Sequence, residues 1–176
     1  VAGFGTKYSN PGTPLTNIGR GVAFTSAGDA IAIAYSNSPY IAAYPWSAGF
    51  GTKYSNPGTS PSGTGYGVAF TSADDAIAVA SNSSPRIQAY PWSAGFGTKY
   101  SNPGTLPTGP GHSVAFTAAG DAIAVAHSTS PYVSAYPWSA GFGTKYSDPG
   151  TLPAGDGWGV AFTSAGDAIA IAYSNS

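Results

Sequence analysis

An all-β fold of stacked, four-stranded antiparallel sheets is predicted by three observations. Val22-Ala23-Phe24 returns at Val68, Val114 and Val160, so the chain repeats itself every 46 residues. Within each unit, short apolar runs are divided every few residues by Gly, Pro or Asn-Pro, which end strands and break helices. In one run, Ala30, Ala32 and Ala34 alternate with Ile31, Ile33 and Tyr35. At a period of two, one face of that strand is small and the other bulky, and neither is built for water. Such sheets stack when the bulky face of one fills the shallow face of the next. A repeat of roughly 40 to 50 residues with these properties points to a β-propeller, because a stack of twisted sheets satisfies every face only by closing into a ring.

The unit divides into four strands. The first spans 22–25 and ends in the turn Ser26-Ala27-Gly28-Asp29. The second, 30–35, is closed by Ser36-Asn37-Ser38-Pro39, and the third, 40–44, by Pro45. The fourth, 50–55, ends at Asn56-Pro57. Turns this short make successive strands antiparallel.

The first hairpin, "VAFTSAGDAIAIA" and its copies from Val68, Val114 and Val160, resembles that of WD-repeat β-propellers. The runs "YIAAYPW", "RIQAYPW" and "YVSAYPW" are similar to the third strand of that family, which ends in Trp. The resemblance covers essentially the whole chain. It implies four-stranded blades with the first strand lining a channel and the fourth on the outer rim. Pro45 precedes Trp46, no Asp follows it, and His112 stands only two residues before Val114. The His-Ser-Asp-Trp network of the family is therefore not expected. Near-identity of the units looks like recent duplication of one blade.

One domain, 1–176, is expected, with repeats of approximately 1–46, 47–92, 93–138 and 139–176. Val1 is in register with Ser47 and Ser176 with Ser130, so the eight positions holding "PYVSAYPW" have no counterpart in the last repeat. Two open sheet faces result, a hazard for edge pairing. The expected remedy is a homodimer, two chains meeting head to tail in an eight-bladed ring. A four-bladed monomeric ring and an excerpt of a longer ring are the competing accounts.

Charged residues are 7% of the chain and the net charge is −1. Six Lys and Arg cannot supply the basic stripe a nucleic-acid partner demands. No apolar run approaches the roughly 20 residues of a membrane-spanning helix. With no Cys, disulfides, thiol catalysis and thiolate metal sites are excluded. Two His without clustered carboxylates make a poor metal site, and no cofactor motif is present. "GFGTK" lacks the spacing of a phosphate loop and precedes a strand. Asn82-Ser83-Ser84 matches a glycosylation acceptor, weakened by Pro85. The missing initiator Met points to a processed or excised piece. A surface solvated by Ser, Thr, Asn and Gly accords with an extracellular or virus-associated setting.

Change between the units gathers in two connections, fourth to first strand and second to third, which share one rim of an up-and-down blade. Arg20, Tyr66, His112 and Trp158 form one equivalent column, all large residues able to stack or hydrogen-bond. Tyr40, Arg86 and Tyr132 form a second column, and Tyr35, Ser81, His127 and Tyr173 a third. Recognition at these positions competes with neutral drift in exposed loops. Asp29, Asp75, Asp121 and Asp167 fall on the constant rim, separated from His112 and His127 by the height of a strand, which disfavours a Ser-His-Asp site. Lys7, Lys53, Lys99 and Lys145 are read as guards on the outermost strand. Tyr8, Tyr54, Tyr100 and Tyr146 are read as clamps onto neighbouring blades. The reading is a non-enzymatic, self-assembling scaffold, with a rim that binds a glycan or peptide as the alternative.

Overall fold

The structure, a computed structural model, describes residues 5–175. The outermost positions of the first and last repeats, 1–4 and 176, lie outside the described residues. Every described regular element is a strand: β1 (Gly19–Phe24), β2 (Ala30–Tyr35), β3 (Ile41–Pro45), β4 (Gly65–Phe70), β5 (Ala76–Ser81), β6 (Ile87–Pro91), β7 (Gly111–Phe116), β8 (Ala122–His127), β9 (Val133–Pro137), β10 (Gly157–Phe162) and β11 (Ile169–Tyr173). They form three antiparallel sheets of order β1-β2-β3, β4-β5-β6 and β7-β8-β9, and a fourth of β10-β11.

The alternation in the second strand of each unit determines how the sheets stack. Ala30, Ala32, Ala34 and Ala43 of the first sheet meet Val68, Ile77, Val79, Tyr90 and Trp92 of the second. The same joint recurs one repeat later, with Ala76, Ala78, Ala80 and Ala89 against Val114, Ile123, Val125, Tyr136 and Trp138. The small face lets the backbones approach, and the bulky face fills what remains.

The sheets have three strands where four were expected. Residues 50–55 touch the sheet through an isolated bridge, Trp46 to Phe50, and one ladder bond, Tyr54 N–H to the Ala43 carbonyl at 2.9 Å. Ala48 at φ 51° and Gly49 at φ 149° turn the chain sharply after Trp46, and the segment then runs back beside β3 as a loosely bonded strap. Its anchors are aromatic. Tyr8, Tyr54 and Tyr100 meet Trp46, Trp92 and Trp138 edge-on at 5.2, 5.3 and 5.3 Å. The buried Tyr44, Tyr90 and Tyr136 donate their phenols to the carbonyls of Thr13, Thr59 and Thr105 at 2.8–2.9 Å. Burial pushes the Tyr136 phenol up to about 12.

On the constant rim each first turn is tied by a Thr that the sequence reading passed over. Thr25 Oγ1 donates to Asp29 Oδ1 at 2.7 Å and accepts from the Ala30 amide at 3.0 Å. Thr71–Asp75, Thr117–Asp121 and Thr163–Asp167 repeat the bond. The Trp46 amide reaches the Asp29 carbonyl at 2.7 Å, so the two constant connections meet. Ser36 N–H to the Ile18 carbonyl at 3.1 Å joins the two variable connections at the opposite end. The lysines are less guards than staples: Lys7, Lys53 and Lys99 donate to Asn10, Asn56 and Asn102 within their own loops, and Lys145 pairs with Asp148.

Candidate functional site

The first variable column sits on a backbone irregularity. Each first strand slips register against its neighbour between Gly19 and Gly21, Gly65 and Gly67, Gly111 and Ser113, and Gly157 and Gly159. Arg20, Tyr66, His112 and Trp158 are therefore the extra residue of a β-bulge in each of four sheets. Bulges re-aim one side chain and recur beside functional sites. The flanking glycines have a steric cause: a Cβ on Gly21 would lie 2.6 Å from the Tyr66 carbonyl oxygen, and one on Gly67 2.9 Å from that of His112. The first strands of successive sheets touch backbone to backbone here. In the third repeat Ser113 replaces the glycine, and its Oγ faces the Val160 amide at 3.4 Å.

With the strands this close, the four bulged side chains form one continuous row. The Arg20 guanidinium lies 4.8 Å above the Tyr66 ring, in cation–π range. Tyr66 meets His112 edge-on at 5.2 Å, and His112 lies 4.2 Å from Trp158 at a tilt of 33°. Both ends of the row face solvent. Arg20 is exposed and donates through Nε to Ser36 Oγ at 3.0 Å, and Trp158 is 53% exposed. The middle is shielded: both ring nitrogens of His112 are buried without a hydrogen-bond partner.

Burial lowers the proton affinity of His112, and the Asp156 carboxylate partly restores it. The net shift is downward, so the imidazole is neutral near pH 7 and able to accept a proton. Asp156 is a residue the sequence reading missed. That reading set every carboxylate it weighed on the far rim, whereas Asp156 belongs to the variable loop "TLPAGDGWG". The argument from separation of Asp and His does not hold for this pair.

The other two columns sit differently. Tyr40, Arg86 and Tyr132 follow the cis Ser-Pro bonds and adopt φ of 67°, 68° and 68°. Their carbonyls accept from Tyr35, Ser81 and His127, and Arg86 donates to the Pro107 carbonyl at 2.9 Å. They shape the turn, half-buried, and join the first column through no described contact. Tyr35, Ser81 and His127 lie within the sheets. His127 is fully buried, with Nε2 3.0 Å from Ser134 Oγ, and Ser81 donates to Gln88 in the equivalent place at 3.1 Å. The partners change together from repeat to repeat, Ser with Gln and His with Ser. Burial drives the His127 imidazole down to about 4, partly offset by the backbone at Thr129 and Val133. Among the described residues no three His, Asp or Glu side chains cluster within reach of one metal ion.

No protein-family model matches the sequence, and no curated protein does. The fold, by contrast, has solved relatives. One is a protein of Bacteroides uniformis assigned as a 6-phosphogluconolactonase, 11% identical, with a TM-score of 0.69 over 97% of this chain. The match takes in 52% of that protein, so the chain spans about half its length. Identity this low speaks for the fold alone. It nevertheless overturns one expectation: a non-enzymatic scaffold was read from the repeats, and the same architecture here carries a protein assigned as an enzyme. The exclusion of catalysis is withdrawn. The chain is similar in fold to half of that protein, an all-β array of repeated antiparallel sheets.

Proposed function

We propose that the row Arg20–Tyr66–His112–Trp158 is the ligand site of a propeller-type ring, and that its ligand is a sugar-derived ring such as a sugar lactone. The single observation that carries this reading is the continuity of the row. Four sheets each project one bulged side chain, no two alike, into one stacked line on the innermost strands. A sugar ring lays its C–H face on an aromatic plane, which the exposed Trp158 offers. An anionic substituent finds its counter-charge at an Arg. A neutral His112 coupled to Asp156 is suited to take a proton from an attacking water once the shielding rings part. The relative's substrate class makes a lactone the first ligand to try.

The same reading takes 1–176 as one domain of the WD-repeat-like propeller type, closed head to tail by a second copy into an eight-bladed ring. The bulky face of the first sheet and the small face of the fourth are the two halves of the joint that occurs inside the chain. Light scattering then returns twice 17.5 kDa; a mass of 17.5 kDa ends the dimer. For the site, 6-phosphogluconolactone is titrated against tryptophan fluorescence and its hydrolysis followed by pH-stat. Saturable quenching that weakens at least tenfold in Trp158→Ala, with turnover lost in His112→Gln, is expected. Absence of both quenching and hydrolysis with the unaltered chain rejects the reading.

A further inference from the structure

The first turns of successive repeats meet on the constant rim, and the joint between the first and second repeats shows what the space between two such turns can hold. Asp74 stands where the other three turns have Gly28, Gly120 and Gly166. Its φ of 56°, beside 71°, 71° and 74° for the glycines, is left-handed, a conformation that Asp tolerates better than most residues. From there its carboxylate reaches back to the preceding repeat. It accepts from the Ser26 amide at 2.7 Å and from the Ala27 amide at 2.9 Å. Two successive amides aimed at one carboxylate form a small anion-binding concavity.

One repeat later the same concavity has no carboxylate of its own. Ser72 and Ala73 are the equivalents of Ser26 and Ala27, and Gly120 is the equivalent of Asp74. The two turns remain in contact, the Ser72 hydroxyl donating to the Ala118 carbonyl at 2.7 Å. A Cβ on Gly120 would meet nothing nearer than Ser72 Oγ at 3.9 Å. No acceptor is described for the Ser72 and Ala73 amides. These two residues line a cavity of about 280 Å³, walled also by Thr71, Trp138 and Ser139. Asp75 and Asp121 border it, each with Oδ1 engaged by the hydroxyl of Thr71 or Thr117 at 2.6 and 2.7 Å. Asp29 and Asp75 hold the same places beside the filled concavity, so their charge does not keep a carboxylate out.

We infer that this cavity, between the second and third repeats, is a binding site for a small organic carboxylate. Its two oxygens rest on the Ser72 and Ala73 amides, as those of Asp74 rest on Ser26 and Ala27, and its body lies toward Trp138 and Ser139. An amide bonds an ionised oxygen more strongly than a neutral one, so charge selects the ligand. The site is on the constant rim, opposite the bulged row, and the inference does not rest on the reading of that row.

Acetate, titrated at constant ionic strength against the isotope-labelled full chain and followed by NMR, tests it. Saturable shifts of the Ser72 and Ala73 amide resonances are expected, whereas acetamide, of the same shape without the charge, leaves them in place. Gly120→Asp rebuilds the Asp74 arrangement in the second joint and weakens acetate binding there at least tenfold. Asp74→Gly empties the first joint, so that the Ser26 and Ala27 amides respond to acetate as well. A blocked aspartate, N-acetyl-aspartyl-amide, separates the sources of the carboxylate. Tighter binding than acetate assigns the site to an acidic side chain of a polypeptide, and equal or weaker binding to a free acid. No saturable shift at Ser72 and Ala73, an equal response to acetamide, or undiminished binding in Gly120→Asp overturns the inference.

Discussion

Val22 and Val114 are the same residue at the same place in the repeat, yet Val22 is 62% exposed and Val114 6%. Ile169 and Ile123 differ likewise, at 40% and 0%. The sheets share their repeat sequence and the pairing of their first two strands. They differ in what covers each face: Val22 has no described sheet in front of it where Val114 packs against the second sheet, and beside Ile169 no third strand is described where Ile123 pairs with Tyr136. Burying a Val or Ile stabilises by about 1.5–3 kcal/mol, so identical residues contribute very different amounts according to position in the array. Stability here belongs to the joint between sheets and not to the sheet, as expected of repeat proteins whose units touch only their neighbours.

Ile123→Ala and Ile169→Ala test that difference most sharply. The first opens a cavity in a closed joint and costs about 2–5 kcal/mol; the second costs less than about 1 kcal/mol. Urea denaturation of both variants reads the gap, and equal losses would contradict the comparison. Acid gives the next largest effect. The unfolded chain protonates His127 near its ordinary 6.5 and the folded chain only near 4. In that window the unfolded state binds the extra proton, so stability falls as pH drops from about 6.5 towards 4, by about 3 kcal/mol in all. In His127→Gln the slope over that range flattens.

Third in size is Ala78→Leu, which overfills an occupied joint and costs about 1–3 kcal/mol. Its partner Ala170→Leu lies on the open small face and leaves the single chain within about 0.5 kcal/mol. It lowers the mass seen by light scattering if that face is where two copies meet. Smallest is Asp148→Asn, in the loop whose sisters carry Asn10, Asn56 and Asn102. The exposed Lys145–Asp148 pair is worth about 0–1 kcal/mol, so thermal unfolding shifts little and becomes less sensitive to salt.

Much of this was legible in the letters. The alternation in Ala30–Tyr35 announced a strand with a small and a bulky face, and the clusters join those faces. The step of 46 residues located the unit, and comparison of the units with one another picked out Arg20, Tyr66, His112 and Trp158. The spacing did not disclose the bulge that aligns them, although Gly on both sides of Arg20, Tyr66 and Trp158 was its trace. Residues 50–55 read as a fourth strand because their composition suits one. They fall short of a strand because, after the Ser47–Gly49 turn, they keep only the Gly51 and Tyr54 amide bonds to the carbonyls of Pro45 and Ala43. His127 shared a sequence column with exposed Tyr173, and only the strand opposite, with Ser134, accounts for an imidazole in the interior. Asp156 escaped notice because a carboxylate in a variable loop has no partner until the loop is set beside His112.

The sequence by itself determined the strands, their turns and the two unlike faces, since these depend on neighbours a few residues away and on a period of two. Tertiary structure alone decided which copies of a residue are buried and which side chains of four separate repeats touch. Those outcomes depend on what stands on the far side of each sheet, and nothing in one repeat's letters distinguishes a sheet with two neighbours from a sheet with one.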